Sequence, residues 1–567
     1  MIRALILVIL IATSPPAPGQ TEVGGGALPS RSAERPTGDV SPYRENASYD
    51  VRAFGAVGDG VTLDTEAINR AIEAAGAAGG GTVYFPAGTY LSFSIHLRSN
   101  LALHLGPGAT LLAADPARDG GRYDDAEPTD FGAYQDFGHS HWHNSLLWGE
   151  NLENVSITGP GWIDGSRGLT RRGPGPRGAN AGGPGHTPES IIEARKASAA
   201  PGQSRPAFSM DGHGNKAIAL KLCRNVTIRD ISMLACGHFA VLATGVDNLT
   251  IDNVRVDTNR DGFDIDACRN VRVSNCSVNS PNDDGICLKS SHALGENRAC
   301  ENVTIVNCQV TGYDVGTFLA GTFGRTQQLA PDHDGVTGRI KLGTESNGGF
   351  KNITIANCVF EHCRGLALET VDGGAIEDVT VTNITMRDIT TAPIFIRLGN
   401  RARGPEGTAA GAIRRVLISN LVASDVDPRY ASIIAGIADH PVEEVTLSNI
   451  RIVYRGGGTA EDAAIDPPEK EAAYPEPSMF GKIPVYGLFV RHAKNLRVHA
   501  VSVSPATPDA RPAVGLYDVD GAAFEAFDAE LAQGVPTFSL RNVSRFSVRS
   551  SPGVVDTTRD TATAEKL

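Results

Sequence analysis

One phrase recurs along this chain, and it constrains the fold more than any other feature. It reads NVSITGPG from Asn154, NVTIRDIS from Asn225, NLTIDNVRV from Asn248, NVRVSNCSV from Asn270 and NVTIVNCQV from Asn302. It continues as NITIANCVF from Asn352, DVTVTNITM from Asp378, RVLISNLVA from Arg415 and EVTLSNIRI from Glu444. Each copy alternates apolar and polar residues, as a short half-buried strand does. Five residues after the start stands Asn or Asp: Asp230, Asn253, Asn275, Asn307, Asn357, Asn383, Asn420 and Asn449. Asn225 to Asn248 spans 23 residues and Asn248 to Asn270 spans 22. A period in the low twenties with one strand phrase per repeat fits coils that stack by parallel pairing, and hence a parallel β-helix. Leucine-rich repeats have a similar period but need a Leu consensus absent here. The recurrent Asn reads as a ladder of side-chain amides at a turn, where αL geometry is tolerated. Longer intervals, such as 302 to 352, read as loops inserted into regular coils.

Stacking turns sequence phase into spatial neighbourhood, with equal phases about 4.8 Å apart. In NRDGFDIDACRNVRVSNCSVNSPNDDGICLKS, Asn259 to Ser290, the shared Asp-Gly step sets Asp261 beside Asp284, with Asp283 one residue earlier. After each glycine, Phe263 and Ile265 alternate with Asp264 and Asp266, while Ile286 and Leu288 alternate with Cys287 and Lys289. The apolar members point inward, which leaves Asp264, Asp266 and Lys289 on an exposed outer face. Crowded carboxylates raise one another's pKa, a cost tolerated chiefly at functional sites. Solvated acidic turns and a Ca²⁺ site are the competing readings of the same pattern.

The flanking regions read differently. Residues 1–20 have one early Arg, an apolar run and a Pro-rich end, the form of a cleaved signal peptide. Export to the periplasm or outside the cell is therefore expected, with residues 21–48 as a linker. Residues 49–149 read as an N-terminal cap leading into the solenoid, including a helix over 64–75 capped by Asp64 or Thr65. Residues 150–551 form the catalytic β-helix and 552–567 a disordered tail in this reading. Long loops are expected at 167–206, 324–336 and 459–484. No later segment is long and apolar enough for a membrane span, and a net charge of −13 argues against nucleic acid as partner. The nine cysteines are an odd number. Cys276, Cys308 and Cys358 each follow an Asn inside an apolar segment and read as buried thiols.

At its acidic motifs the chain resembles the polygalacturonase family, glycoside hydrolase family 28. Asn259-Arg260-Asp261 matches the family's Asn-x-Asp motif, and Asp283-Asp284-Gly285 its Asp-Asp motif. FGAVGDG and FPAGTYL, between residues 54 and 91, are similar to the leading block of pectin-degrading β-helix enzymes. The resemblance implies a right-handed parallel β-helix and inverting hydrolysis of α-linked uronides or related pectic sugars, with no cofactor or metal. Asp283 would protonate the leaving oxygen while Asp261 and Asp284 activate water. Inversion implies acid and base carboxylates roughly 6.5–9.5 Å apart. The long loops, walling off one end of the groove, point to exo-action on oligosaccharides of galacturonate or rhamnogalacturonan type.

The departures concern the substrate. No Gly-His-Gly follows Asp284, and Arg339-Ile340-Lys341 falls one strand earlier than the family's Arg-Ile-Lys. In GLALET, Ala367 and Glu369 stand where that Arg and Lys are expected, and Glu369 shares the row of Lys289. Substrate contacts are therefore expected from Asn259, Asp264, Lys289, Arg339, Lys341, Glu369 and Arg397. His143, in the loop GHSHWHNSLLWG with His139 and His141, is a further candidate, and the segment Tyr474–Phe480 reads as a loop over the cleft. A Ca²⁺-dependent lyase and a carbohydrate-binding β-helix without turnover are the rival functions.

Overall fold

The repeat phrases become strands that pair in parallel, coil upon coil. The computed structural model describes residues 47–171, 210–331 and 334–567, so the expected signal peptide, the linker up to residue 46 and most of the 167–206 loop lie outside the described residues. Thr227, Thr250, Arg272, Thr304 and Thr354 sit in register on successive strands of one sheet. Trp162, Ser232, Arg255 and Ser277 belong to a second sheet. Phe239–Thr244, Asp261–Asp266, Ile286–Ser290, Ile340–Ser346, Leu366–Thr370 and Ile394–Leu398 follow one another in a third. The result is a parallel β-helix with three faces.

Inward side chains stack in register. Val226, Leu249, Val271, Val303, Ile353 and Val379 form one such apolar column, all buried. Burying each aliphatic side chain is worth roughly 1.5–3 kcal/mol. All nine cysteines are buried free thiols, among them Cys276, Cys308 and Cys358, for which this was expected. At the turns the amide ladder forms: Asn307, Asn357, Asn383, Asn420 and Asn449 each donate Nδ2 to the Oδ1 of the Asn one coil earlier, at 2.7–3.2 Å. Their φ angles of 53–57° are the αL values the turn requires. A second ladder was not anticipated. Asn154, Asn225, Asn248, Asn270, Asn302 and Asn352, the first residues of the phrases, are also αL and chain together at 2.8–3.3 Å.

Three expectations are corrected. Coils begin well before residue 150: Tyr49 pairs with Val83, Ala102 with Thr82 and Ser156 with Ala102, so residues 49–149 are already solenoid. Helix α1, Thr65–Ala77, turns Ala67, Ile68, Ala71, Ile72 and Ala75 into the core and packs on the first strands. Asp64 precedes it without capping it, because its carboxylate accepts from Val57 N (2.6 Å) and Gly58 N (3.0 Å) instead. The C-terminal residues are ordered: Thr557–Lys566 forms a strand antiparallel to Phe538–Arg549, covering the edge of the last coil. Among the described residues no helix is long and apolar enough to cross a membrane.

Candidate active site

The third sheet brings the acids together. Gly262 N donates to Asp284 O (3.0 Å) and Phe263 N to Gly285 O (2.9 Å), so Asp261 and Asp284 stand on adjacent rungs as the shared Asp-Gly step implies. One carboxylate oxygen from each of Asp261, Asp283 and Asp284 lies within 4.8 Å of the others. This is tighter than the wide gap expected of an inverting pair, because neighbouring rungs allow only one interstrand spacing between stacked side chains. Asp283 is the accessible member, with 22% of its side chain exposed against 3% for Asp284. It is paired with Arg260. Asn259 accepts from Asn282 on the next coil and so fixes the loop ahead of Asp261.

The three acids have unlike electrostatic surroundings. Burial, followed by repulsion from Asp283, pushes Asp261 well above the ordinary carboxylate range. Burial also opposes ionisation of Asp284, but Lys341 and Arg339 outweigh it and hold that carboxyl well below its ordinary value. Arg339 Nε donates to Asp284 Oδ1 (2.8 Å), and Lys341 Nζ lies 3.2 Å from Asp284 Oδ2. Ionisation is thus disfavoured at Asp261 and favoured at Asp284, one rung away.

Behind the acids lies a charge network. Arg339 also grips both oxygens of Glu476 (3.1 and 2.6 Å), which Arg364 contacts at 2.8 Å. Glu369 lies 3.4 Å from Lys341 and 3.7 Å from Arg339. Neither of its oxygens has a hydrogen-bond partner, and burial raises its pKa to about 7 against the pull of those cations. Tyr474, half exposed, sets its hydroxyl 3.4 Å from Lys341 Nζ. The 459–484 insertion therefore supplies both Tyr474 and Glu476 to the site.

Asp264 and Lys289 come together as expected but not on an exposed face: both are buried, as is Asp266. Lys289 lies 3.4 Å from Asp264 and 3.0 Å from Glu345, and donates to His139 Nε2 at 2.8 Å. The turn carrying His139 covers this part of the sheet, while Asp266 accepts from Ser291 N (2.7 Å) and Ser291 Oγ (2.5 Å). Two candidates stand apart from the acids. Arg397 donates to backbone carbonyls of Gly436 (2.8 Å) and Glu469 (3.1 Å) and packs on Phe480. His143 stacks on Trp148 (ring centroids 4.0 Å) and faces Glu150 at 3.1 Å, and Trp148 is three rungs from Asp264. Sequence reasoning missed Arg260, Glu345 and Glu476. Arg260 was quoted inside the Asn-x-Asp motif and only its adjacency to Asp261 marked it. Glu345 is hidden by a register shift between the Ile286–Ser290 and Ile340–Ser346 strands, and Glu476 lies in an insertion with no phase.

Residues 48–112 match the family model "Rhamnogalacturonase A/epimerase, pectate lyase-like", and residues 209–327 match "Right handed beta helix region". A probable polygalacturonase of Vitis vinifera is 25% identical over 427 residues, 70% of this chain and 73% of that protein. Mannuronan C5-epimerase AlgE1 of Azotobacter vinelandii is 69% identical over 42 residues only, 7% of this chain and 3% of that one. A solved exopolygalacturonase from Thermotoga maritima superposes with a TM-score of 0.52 at 18% identity, covering 92% of this chain and 95% of that one. These likenesses describe a polygalacturonase-like right-handed parallel β-helix.

Proposed function

We propose that the protein is an exported glycoside hydrolase that cleaves pectic oligosaccharides from their ends, through Asp261, Asp283 and Asp284. The observation that carries this reading is the triad of acids on adjacent rungs, with burial opposing ionisation of Asp261 and two cations favouring it at Asp284. Hydrolysis of a glycosidic bond needs a proton for the leaving oxygen and a base for the attacking water. Asp283, the accessible acid, protonates the leaving oxygen. Asp284, with each oxygen beside a cation, orients the attacking water, and Asp261 takes the proton that the water releases. The paired oxygens of Asp284 make it a poor nucleophile, which favours direct attack by water and inversion over a covalent intermediate despite the short separation. The turn bearing His139 and the Tyr474–Phe480 segment lie on two sides of the acids, which supports action at a chain end. Export rests on residues 1–20 alone.

The close carboxylate triad, and the short match to an epimerase, favour one second reading: a divalent cation held by the acids and lyase-type chemistry. Lys341 and Arg339 on Asp284, and Arg260 on Asp283, already supply the positive charge such an ion would bring. The two readings separate on incubation with homogalacturonan and rhamnogalacturonan oligosaccharides. Hydrolysis yields one saturated product and one new reducing end per bond, unaffected by chelation, with the first-formed anomer inverted. Ultraviolet-absorbing unsaturated ends that vanish with chelator would contradict it.

A further inference from the structure

The pairing of the cations around the acids bears on what kind of sugar the site takes, an inference that rests on the hydrolase reading above. A uronic acid unit carries a carboxylate on the ring, and a site that accepts it must offer a cation not already neutralised, since a buried uncompensated charge is strongly unfavourable. Among the described residues each cation placed near the acids is matched. Arg260 pairs with Asp283 and Lys289 with Asp264 and Glu345. Arg339 is shared among Asp284, Glu476 and Glu369, and Lys341 between Asp284 and Glu369. Arg397, the other candidate, gives Nη1 and Nη2 to backbone carbonyls and leaves Nε unpaired; it stands one rung beyond Glu369 and does not contact the three acids.

Glu369 is the unusual member. It is fully buried, it bears no hydrogen bond on either oxygen, and it faces two cations at 3.4 and 3.7 Å. It sits where an incoming carboxylate would seek its charge partners. We infer that Glu369 occupies the cationic subsite in place of a substrate carboxylate, so that the sugar bound beside Asp283 is an uncharged glycosyl unit. Tyr474, half exposed with its hydroxyl next to Lys341, offers the aromatic face on which such a ring packs. Glu369 acts through Lys341 and Arg339 and is a specificity-determining residue, not a member of the reacting triad.

Carboxyl reduction supplies a matched probe, because it converts each uronate to a hydroxymethyl group without altering linkage. Values of kcat/KM are measured for α-linked oligogalacturonides, for the same oligosaccharides after reduction, and for rhamnogalacturonan fragments ending in rhamnose or in galacturonate. The wild-type protein is expected to favour the uncharged-ended members by at least about tenfold, in the range one mismatched contact supplies. Glu369→Gln removes one of the anions shared by Lys341 and Arg339, leaves an excess of positive charge there, and should shift that ratio toward the uronates by about tenfold or more. A wild-type preference for uronate ends overturns the inference and leaves the hydrolase reading standing. An unchanged ratio in a folded Glu369→Gln protein also overturns it. If that variant does not fold, the wild-type ratio decides alone. No hydrolysis of any member removes the hydrolase reading and the inference with it.

Discussion

The turns of the solenoid and the face that bears the acids are built by the same stacking, with opposite results. At the turns, identical side chains meet themselves: Asn307 bonds Asn275, and Asn357 bonds Asn307, each amide satisfying the next in contact with solvent. On the acidic face, unlike charges meet on successive rungs and are buried. Asp284 is flanked by Arg339 and Lys341, and Lys289 by Asp264 and Glu345. Repetition gives many small, independent contributions. A non-repeating charged face gives a few large and interdependent ones, since a buried charge left without its partner costs far more than a lost surface bond.

That contrast can be broken at its strong end first. Arg339→Met leaves Asp284 and Glu476 without their shared guanidinium, and should cost about 3–5 kcal/mol, the range for breaking a buried ion pair. Urea unfolding measures it, and a loss below 1 kcal/mol would mean the network is not interdependent. The next effect is a pH dependence. Burial raises Asp266 from its ordinary 3.8 to about 6, so the folded chain holds that proton more tightly than the unfolded one. Its favourable contribution is complete below about pH 3.8 and is lost as pH rises through 6, about 3 kcal/mol in all. Asp266→Asn should flatten that segment of the stability–pH curve; an unchanged slope would place the proton elsewhere. The smallest effect lies in the ladder, where Asn307→Ala should cost about 0.5–1.5 kcal/mol and leave activity intact.

The same contrast explains what could be read from the chain before its structure. The solenoid was legible because apolar alternation and the Asn at fixed phase repeat, and register follows from repetition. Asp261 beside Asp284 was legible because both are tied to a glycine at the same phase. The expected exposure of Asp264, Asp266 and Lys289 failed, since alternation distinguishes inward from outward but says nothing of a loop laid over the outer face. The Tyr474–Phe480 segment was legible as a loop over the cleft, but Glu345 and the partners of Glu476 were out of reach for a related reason: a register shift and an insertion carry no phase to count. The second Asn ladder went unnoticed because its αL residues lie inside the strand phrases and interrupt alternation only at single positions.

The central claim is that Asp261 and Asp283 act with Asp284 as one acid–base unit. The direct measurement is kcat on the best pectic oligosaccharide for Asp283→Asn and Asp261→Asn, each checked for native stability. Both are expected to fall by about 10³-fold or more, as removal of either half of an acid–base pair does. Rates within tenfold of wild type for both variants would contradict it.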